Sequence, residues 1–563
     1  MRPVISTAQM REIDRLTTER YGVPSLQLME NAAGATFRAV TDLLGNNFEK
    51  RILVLCGRGN NGGDGASAAR MLAHAGAHVD VVLFGKVEDR KGDARTNFER
   101  LLNWKAEHQT SATSDPATNP GTLNFFECDS ESAWSQVFSS VISVPHDVIV
   151  DAMLGTGLTR PVEGLQRDAI KYLRELRCAA DLKVQRPGIV SIDVPSGMNA
   201  DSDECAGDVV RADVTVTMTA PKTANVLPPA ANYNGRLIVA DIGSPAELVA
   251  EAKPSMFLIE EEDAHRWLIQ TRYTPDSYKN SHGHAVIVAG SRGFTGAAAL
   301  CANAAMRAGA GLVTVATPDS AQPLIATQVM SEVMTTSLAE TDRGAVSDEA
   351  FDFFSKFGER ADVVAIGPGL SSQDERTRAF VARVVQERST PVVIDADGLN
   401  CLSPWPEGLR GSAELPIVLT PHPGEMLRLI GSTDKSLLSD RPELAREFAT
   451  QHEVILLLKG GRSLIAAPDG RVFVNSSGNA GLGTAGSGDT LTGIITGFLA
   501  QTRATLRDES NALDAVVAAL FIGGQAGDLA AQKLGMRAMT ASDIREHLSE
   551  VFLSLDPSGE LPQ

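Results

Sequence analysis

The sequence predicts an α/β protein with two successive domains, each built on a mainly parallel sheet. Three observations lead there. Short apolar runs alternate with helical stretches along almost the whole chain. The alternation lapses once, between Ser244 and Pro275. Glycine-rich turns stand where a strand runs into a helix, at Gly57–Gly65 and at Asn479–Asp489. The length, 563 residues, agrees, because at roughly 150 residues per domain it exceeds one ordinary core.

In chain order, Ser6–Arg20 reads as a helix capped by Ser6 or Thr7, and Ser25–Leu44 as a second. Arg51–Cys56 is a short apolar strand, followed by the Gly57–Gly65 turn, a small-residue helix over Ala66–Ala75, and a strand over His78–Phe84. Further buried strands are expected at Asp147–Asp151, Gly188–Asp193, Asp213–Met218 and Arg236–Asp241, with a helix over Gly164–Cys178 and a loop over Gln109–Gly121. The first domain is therefore placed at 1–246 and a linker at 247–272, within which a short helix is expected. The second domain, 273–563, carries strands at His284–Ala289, Gly311–Ala316, Ala361–Ile366, Pro391–Asp395, Pro416–Thr420, Glu453–Lys459 and Arg471–Asn475. Helices are expected at Phe294–Ala310 and Thr490–Leu499.

Composition narrows the function. A formal charge of −19 argues against a nucleic-acid or anionic-membrane surface as the main target, but leaves small anions open, since backbone dipoles can hold them. The six cysteines are scattered without a Cys-x-x-Cys pair, which suggests neither a disulfide framework nor a zinc site and fits reduced thiols in the cytoplasm. The N-terminus lacks the apolar core of a signal peptide. Ala512–Leu529 is apolar but interrupted by Asp514 and Asp528, and reads as a tightly packed internal helix.

The chemistry concentrates at strand ends. A glycine-rich turn opening a helix leaves N–H groups free beside the positive end of the helix dipole, which favours phosphate. Asp489 stands in such a turn, where a carboxylate repels phosphate. It is either a general base for a hydroxyl about to be phosphorylated or an ordinary helix cap. Gly57, Gly59 and Gly62 have the Gly-x-Gly-x-x-Gly spacing, with Asp64 either accepting from a ribose hydroxyl or holding the turn. Asp151 and Asp193 end strands and lead into Leu154–Pro161 and Val194–Gly197; with Asn61 and Ser196 they are either an oxygen set for a hard cation or strand-end caps. In the second domain Gly290–Gly296, Gly367–Gly369, Asp395 with Asp397, His422 between two prolines, and Lys459–Ser463 all fall at strand ends. His74 with His78, His282 with His284, and Glu261–Asp263 lack the partners of a site.

On these motifs the chain resembles the bifunctional NAD(P)H-hydrate repair enzymes, an NAD(P)HX epimerase fused to an ADP- or ATP-dependent NAD(P)HX dehydratase. The resemblance rests on Asn60–Asp64, Asp151, Gly155–Pro161 and Asp193–Gly197, then Gly367–Leu370, Thr420–Glu425, Lys459–Gly460 and Asn479–Asp489, in that order. It implies a Rossmann-like first domain and a ribokinase-like second. The first would interconvert the R and S hydrates of NADH and NADPH. Asn60, Asn61, Gly62, Gly63, Asp64, Gly155, Thr156, Gly157, Leu158, Thr159, Arg160 and Pro161 would contact the dinucleotide, and Asp193 would be acid/base beside the nicotinamide, with Lys222 a weaker second candidate. Asn61, Asp151 and Ser196 would hold a potassium ion.

The second domain would dehydrate the S epimer, with Asp489 as base. Gly296, Gly369, His422 and Asp489 would contact the hydrate. Lys459, Gly460, Gly461, Arg462, Ser463, Asn479, Ala480, Gly481, Leu482, Gly483, Thr484, Ala485, Gly486, Ser487 and Gly488 would bind ADP or ATP with magnesium. Gly483 stands where relatives often have alanine, and Ala485 where many have glycine. A homo-oligomer without nucleic-acid or membrane partners is expected. The competing expectations are a small-molecule alcohol kinase with a regulatory N-terminal domain, which would share the glycine turn and Asp489, and a non-catalytic first domain.

Overall fold

The computed structural model describes residues 1–47, 49–109, 121–178, 186–507 and 511–556. The loop expected at Gln109–Gly121 lies, over 110–120, outside the described residues. The chain divides into two compact units, Pro3–Pro254 and Met1–Arg2 with Ser255–Gln563.

A short strand, β1 (Arg2–Val4), opens the chain and belongs to the sheet of the larger unit. In the Pro3–Pro254 unit two helices precede the sheet. Thr7–Tyr21 starts at a capping box between Ser6 and Gln9 and stops at Gly22, whose φ of 70° supplies the left-handed end. Ser25–Leu44 follows as expected. The sheet contains β2 (Arg51–Cys56), β3 (His78–Leu83), β4 (Leu123–Glu127), β5 (Val148–Ala152), β6 (Gly188–Ile192), β7 (Val214–Met218) and β8 (Arg236–Ala240), all paired in parallel in the order β4-β3-β2-β5-β6-β7-β8. The order reverses between β2 and β5, the place where open α/β sheets form a ligand crevice.

One boundary differs instructively. The helix expected from Ala66 begins at Asn60, so the Asn60–Asp64 motif is its first turn. The glycines there serve close packing. A Cβ on Gly62 would lie 2.1 Å from the Gly57 carbonyl oxygen, one on Gly63 2.9 Å from Ala94 Cα, and one on Gly65 2.5 Å from Ala152 Cβ. Only bare backbone lets this helix press onto the Gly57 turn, the helix Gly92–Gln109 and, at Gly65, β2 and β5.

The stretch 247–272 is ordered secondary structure. It holds the helix Ala246–Glu251, β9 (Met256–Leu258) and the helix Glu261–Gln270, and the units divide between Pro254 and Ser255. Its apolar residues are structural: Trp267 is buried and stacks on Phe498 with ring centroids 3.8 Å apart.

The larger unit continues with β10 (His284–Val288), β11 (Leu312–Pro318), β12 (Met334–Leu338), β13 (Val363–Ile366), β14 (Val392–Ile394), β15 (Ile417–Leu419), β16 (Ile455–Leu458), β17 (Leu464–Ala466) and β18 (Val472–Val474). The sheet order is β1-β9-β18-β17-β16-β15-β14-β13-β10-β11-β12. Strands β10 to β16 are parallel, β16-β17-β18 antiparallel, and β9 joins β18 in parallel. The helices Thr295–Arg307 and Ser487–Leu506 pack against each other through small residues, and a Cβ on Gly493 would lie 2.1 Å from the Cys301 carbonyl oxygen. Ala512–Leu534, long and apolar enough to cross a membrane by composition, is mostly buried in this core.

Candidate active site

In the Pro3–Pro254 unit a cavity of about 620 Å³ opens at the carboxyl ends of β2 and β5. Asn60, Asn61, Asp64, Gly155–Leu158, Asp193, Lys222 and Asp14 all line it. Asp193 follows β6 at φ 68°, a left-handed backbone that costs a non-glycine residue of order 1 kcal/mol or more and is concentrated at functional sites. Its Oδ1 accepts from Lys222 Nζ at 2.7 Å and Thr217 Oγ1 at 3.1 Å. The Lys222 side chain is fully buried, and its ammonium also donates to Thr217 Oγ1 at 3.0 Å and the Met218 carbonyl at 3.1 Å. A buried ammonium demands such pairing. Burial, with repulsion from Asp193 and Asp14, holds Asp64 well above the usual carboxylate range. Burial also pushes Asp14 up to about 6, against the pull of Lys222.

Asp151 lies inside β5 and is fully buried. It accepts from Ser191 Oγ at 2.9 Å, the Ser196 amide at 2.8 Å and Ser196 Oγ at 2.5 Å, although burial still pushes its pKa up. Asn61 lies beside Gly155, and its Nδ2 is buried without a partner among the described residues.

In the Ser255–Gln563 unit the centre is the start of the helix Ser487–Leu506. Gly486, at φ 85°, caps it, and Asp489 lies in its first turn. Burial pushes the Asp489 carboxyl up to about 7, reinforced by repulsion from Asp395 and partly offset by Lys459. Asp395, at the end of β14, is fully buried; its Oδ1 accepts from Lys459 Nζ at 2.8 Å and its Oδ2 from Thr492 Oγ1 at 2.7 Å. Burial works against both charges of the pair. Their attraction prevails, leaving Asp395 below and Lys459 above its ordinary value. A Cβ on Gly488 would sit 3.3 Å from Lys459 Nζ, so the glycine turn lies against the ammonium. The arrangement suits phosphoryl transfer: a backbone turn and a lysine for anionic oxygens, and a carboxylate poised near neutrality as proton acceptor.

His422 caps the helix Pro423–Leu429, its Nδ1 accepting from the amides of Gly424 at 2.9 Å and Glu425 at 3.2 Å. Burial, with Lys459 and Arg428 nearby, lowers its pKa, so the neutral ring with the proton on Nε2 is favoured. Glu425 closes the box by accepting from the His422 amide at 2.8 Å. The loop before Asp489 is anchored from behind. Asn479 Nδ2 donates to Asp528 Oδ1 at 2.9 Å and to the Gly527 carbonyl at 3.0 Å, and the Gly478 amide donates to Asp528 Oδ2 at 2.8 Å.

Two protein families match this chain. Residues 25–224 match the YjeF-related protein N-terminus, and residues 285–550 match the NAD(P)H-hydrate dehydratase family. A bifunctional NAD(P)H-hydrate repair enzyme of Moorella thermoacetica is 39% identical over 560 residues, covering 99% of this chain and 98% of that relative. The chain belongs to the family of bifunctional NAD(P)H-hydrate repair enzymes. The Escherichia coli member is 31% identical over 548 residues, covering 96% of this chain and 92% of its own. An ADP/ATP-dependent NAD(P)H-hydrate dehydratase from Bacillus subtilis, solved with ATP and Mg2+, is 29% identical with a TM-score of 0.45, covering 53% of this chain and 98% of that chain.

The residues that the family motifs single out have different positions. Asn60, Asn61, Asp64, Gly155, Thr156, Gly157, Leu158 and Asp193 line the first cavity; Gly62 and Gly63 pack beneath it, and Thr159, Arg160 and Pro161 are exposed beyond its lining. In the second unit Gly481 is buried against Met539, whereas Gly483 is exposed and a Cβ there would meet nothing within 4 Å, so an alanine at this position would face no obstacle. Ala485 is likewise exposed. In the Lys459–Ser463 turn, Gly460 has φ 159° and Arg462 φ 51°, and Ser463 Oγ lies 3.4 Å from both the amide and the carbonyl of Gly460. Gly369, at φ 65°, lies against the Phe294 carbonyl, and Gly296 is exposed in the first turn of its helix. Asp397 is a hydrogen-bond partner of the fold, accepting from the Ser371 amide at 2.9 Å and Ser372 Oγ at 3.1 Å.

Sequence reasoning missed Asp14, Thr492 and Asp528, and did not pair Lys459 with Asp395. For Asp14 a signal existed: it shares a helix face with Met10 and Thr17, both buried, where a carboxylate is out of place.

Proposed function

We propose that the chain is a nicotinamide-nucleotide repair enzyme that epimerises the R and S hydrates of NADH and NADPH and dehydrates the S epimer at the expense of ADP or ATP. The observation that carries the reading is the placement of Asp489 in the first turn of a helix behind a glycine turn, beside the Lys459–Asp395 pair. In dehydration Asp489 takes the proton from the hydrate's hydroxyl as its oxygen attacks the terminal phosphorus of the nucleotide. The phosphoanhydride bond to the rest of the nucleotide breaks, and inorganic phosphate then leaves the ring carbon with its C–O bonding pair. Loss of a proton from the neighbouring carbon restores the double bond. Lys459 and the turn Asn479–Gly488 receive the phosphates, Lys459–Ser463 flanks the nucleotide, and Gly296, Gly369 and His422 flank the hydrate.

Magnesium, bound by the phosphates, would neutralise their charge. No group of three or more His, Cys, Asp or Glu side chains suited to a metal occurs among the described residues, which fits an ion held chiefly by the nucleotide. In the epimerase unit Asn61, Asp151 and Ser196 would hold potassium through their side-chain oxygens, with the Asn61 amide turned so that its oxygen replaces the unpartnered Nδ2. Such an ion would fix the loop at Leu154, whose amide donates to Ser196 Oγ at 2.9 Å. Asp193, oriented by Lys222, is the acid/base of epimerisation. The same reading makes the enzyme cytoplasmic and a homo-oligomer, to be tested by fractionation and sedimentation.

The test supplies each purified hydrate epimer with ADP or ATP and follows the return of NADH absorbance. The S epimer should yield NADH with nucleotide alone, and the R epimer only after interconversion. Nucleotide consumption that depends on an added alcohol, with no NADH formed, would favour a small-molecule kinase instead.

A further inference from the structure

We propose that Asp14 is a second acid–base group of the epimerase cavity, acting with Asp193 on the hydroxyl-bearing carbon; this rests on the epimerase reading above. Asp14 comes from the helix Thr7–Tyr21, which precedes the sheet and carries none of the family motifs named above. Its side chain lines the cavity together with Asp193, Asp64 and Lys222. Its Oδ1 is buried with no hydrogen-bond partner among the described residues. Lys222 does not satisfy it, because that ammonium already donates to Asp193 Oδ1, Thr217 Oγ1 and the Met218 carbonyl. A fold gains nothing from such a carboxyl, whereas a substrate hydroxyl would give it a partner.

The charges around Asp14 explain which partner plays which role. Lys222 and Asp193 face it from the end of the sheet and Asp64 from the helix Asn60–His74, while Arg11, Arg58 and Asp93 line the same cavity. The buried ammonium of Lys222 is committed to Asp193, so the proton shared by the two carboxyls is assigned to Asp14. Burial, which pushes Asp14 up to about 6, agrees with that division.

In the route proposed, the C–O bond breaks and re-forms on the other face. Protonated Asp14 gives its proton to the leaving hydroxyl, which departs as water with the C–O electron pair. The ring nitrogen lone pair forms a C=N bond to the same carbon. Water then adds to the opposite face, and Asp193 takes its extra proton. Nothing is oxidised or reduced, and the proton has passed from Asp14 to Asp193. Passage of the other epimer, or exchange with solvent, restores the starting state. Activity in both directions therefore follows the pair holding one proton between them, and falls on the alkaline side as Asp14 loses its own.

The experiment uses the full chain and each purified hydrate epimer without nucleotide, so that the dehydratase is idle and interconversion alone is followed across pH. In Asp14→Asn the epimerisation kcat should fall about 10²- to 10⁴-fold with KM changed only a few-fold, and the alkaline limb near 6 should vanish. Asp14→Glu should recover part of the rate and a shifted limb. Nucleotide-dependent dehydration of the S epimer should be unchanged, and the unfolding midpoint of Asp14→Asn should be at or above the parental one. Parental kcat with the same limb in Asp14→Asn overturns the proposal. So does a loss accompanied by a lowered midpoint and not relieved by glutamate, which would make Asp14 scaffolding. Failure of the parental enzyme to interconvert epimers sinks the epimerase reading itself.

Discussion

The two glycine-rich turns look alike in sequence and do different physical work. In Asn60–Gly65 the glycines face inward, with Gly62, Gly63 and Gly65 so close to neighbouring atoms that any Cβ would collide. In Asn479–Asp489 the space is uneven: Gly481 is pressed against Met539, Gly483 faces nothing, and Gly488 faces only Lys459 Nζ and Asp395 Oδ2. The first turn is a helix pushed onto a sheet so that Asn60, Asn61 and Asp64 reach a cavity. The second is an uneven rim of backbone ahead of Asp489, exposed at Gly483 and Ala485. Glycine content alone does not distinguish close packing from ligand approach.

The comparison can be tested from its strongest consequence downward. Asp489→Asn should lower dehydration of the S epimer by about 10²- to 10⁴-fold while leaving epimerisation intact, measured by NADH recovery and by epimer interconversion; parental dehydration would remove Asp489 from the mechanism. Lys459→Met should destabilise the second unit by about 3–5 kcal/mol in denaturant unfolding, because it leaves buried Asp395 without its partner, and an unchanged midpoint would mean that the pair contributes nothing. Gly62→Ala should cost about 1–3 kcal/mol through overpacking against the Gly57 carbonyl, read as a lowered midpoint for the first unit.

A gentler probe is pH. The Asp489 carboxyl is raised to about 7, so the folded protein binds that proton more tightly than the unfolded chain. Its stability penalty is absent below the ordinary carboxylate range, grows as pH rises towards 7, and then levels. Parental dehydration should therefore rise with pH through about 7 as the base is freed, while Asp489→Asn should be the more stable protein at neutral pH. A rate independent of pH across that window would contradict the general-base role. The smallest effect belongs to Gly483→Ala. Its added methyl meets no atom within 4 Å, and dehydration and stability should stay within about 0.5 kcal/mol of parental; a large loss would show that this glycine's freedom is needed.

Much of the fold is legible in the sequence because the central strands are buried on both faces. Arg51–Cys56 and the apolar core of Glu453–Lys459 read as continuous apolar runs, and the structure places β2 and β16 there. The strands without a clear sequence signal have weaker patterns. Leu123–Glu127 and Met334–Leu338 lie at sheet edges and carry polar or exposed residues, while Met256–Leu258 and Leu464–Ala466 are only three residues long. Asn60–Gly65 reads as a loop because glycine is a poor helix former; tertiary packing against β2 and β5 overrides that preference.

By itself the sequence determined the alternating α/β plan, a helix cap at Ser6 or Thr7, and the motifs that define the family, because periodicity, capping and turn chemistry act within a few residues of one another. Tertiary structure decided which charges meet: Lys459 with Asp395 across 64 positions, Lys222 with Asp193 across 29, and Asp14 in a cavity lined mostly by later helices and strand-end loops. Those meetings depend on sheet order and on the few ångströms over which burial strengthens attraction and repulsion. Neither is written in any local stretch of chain.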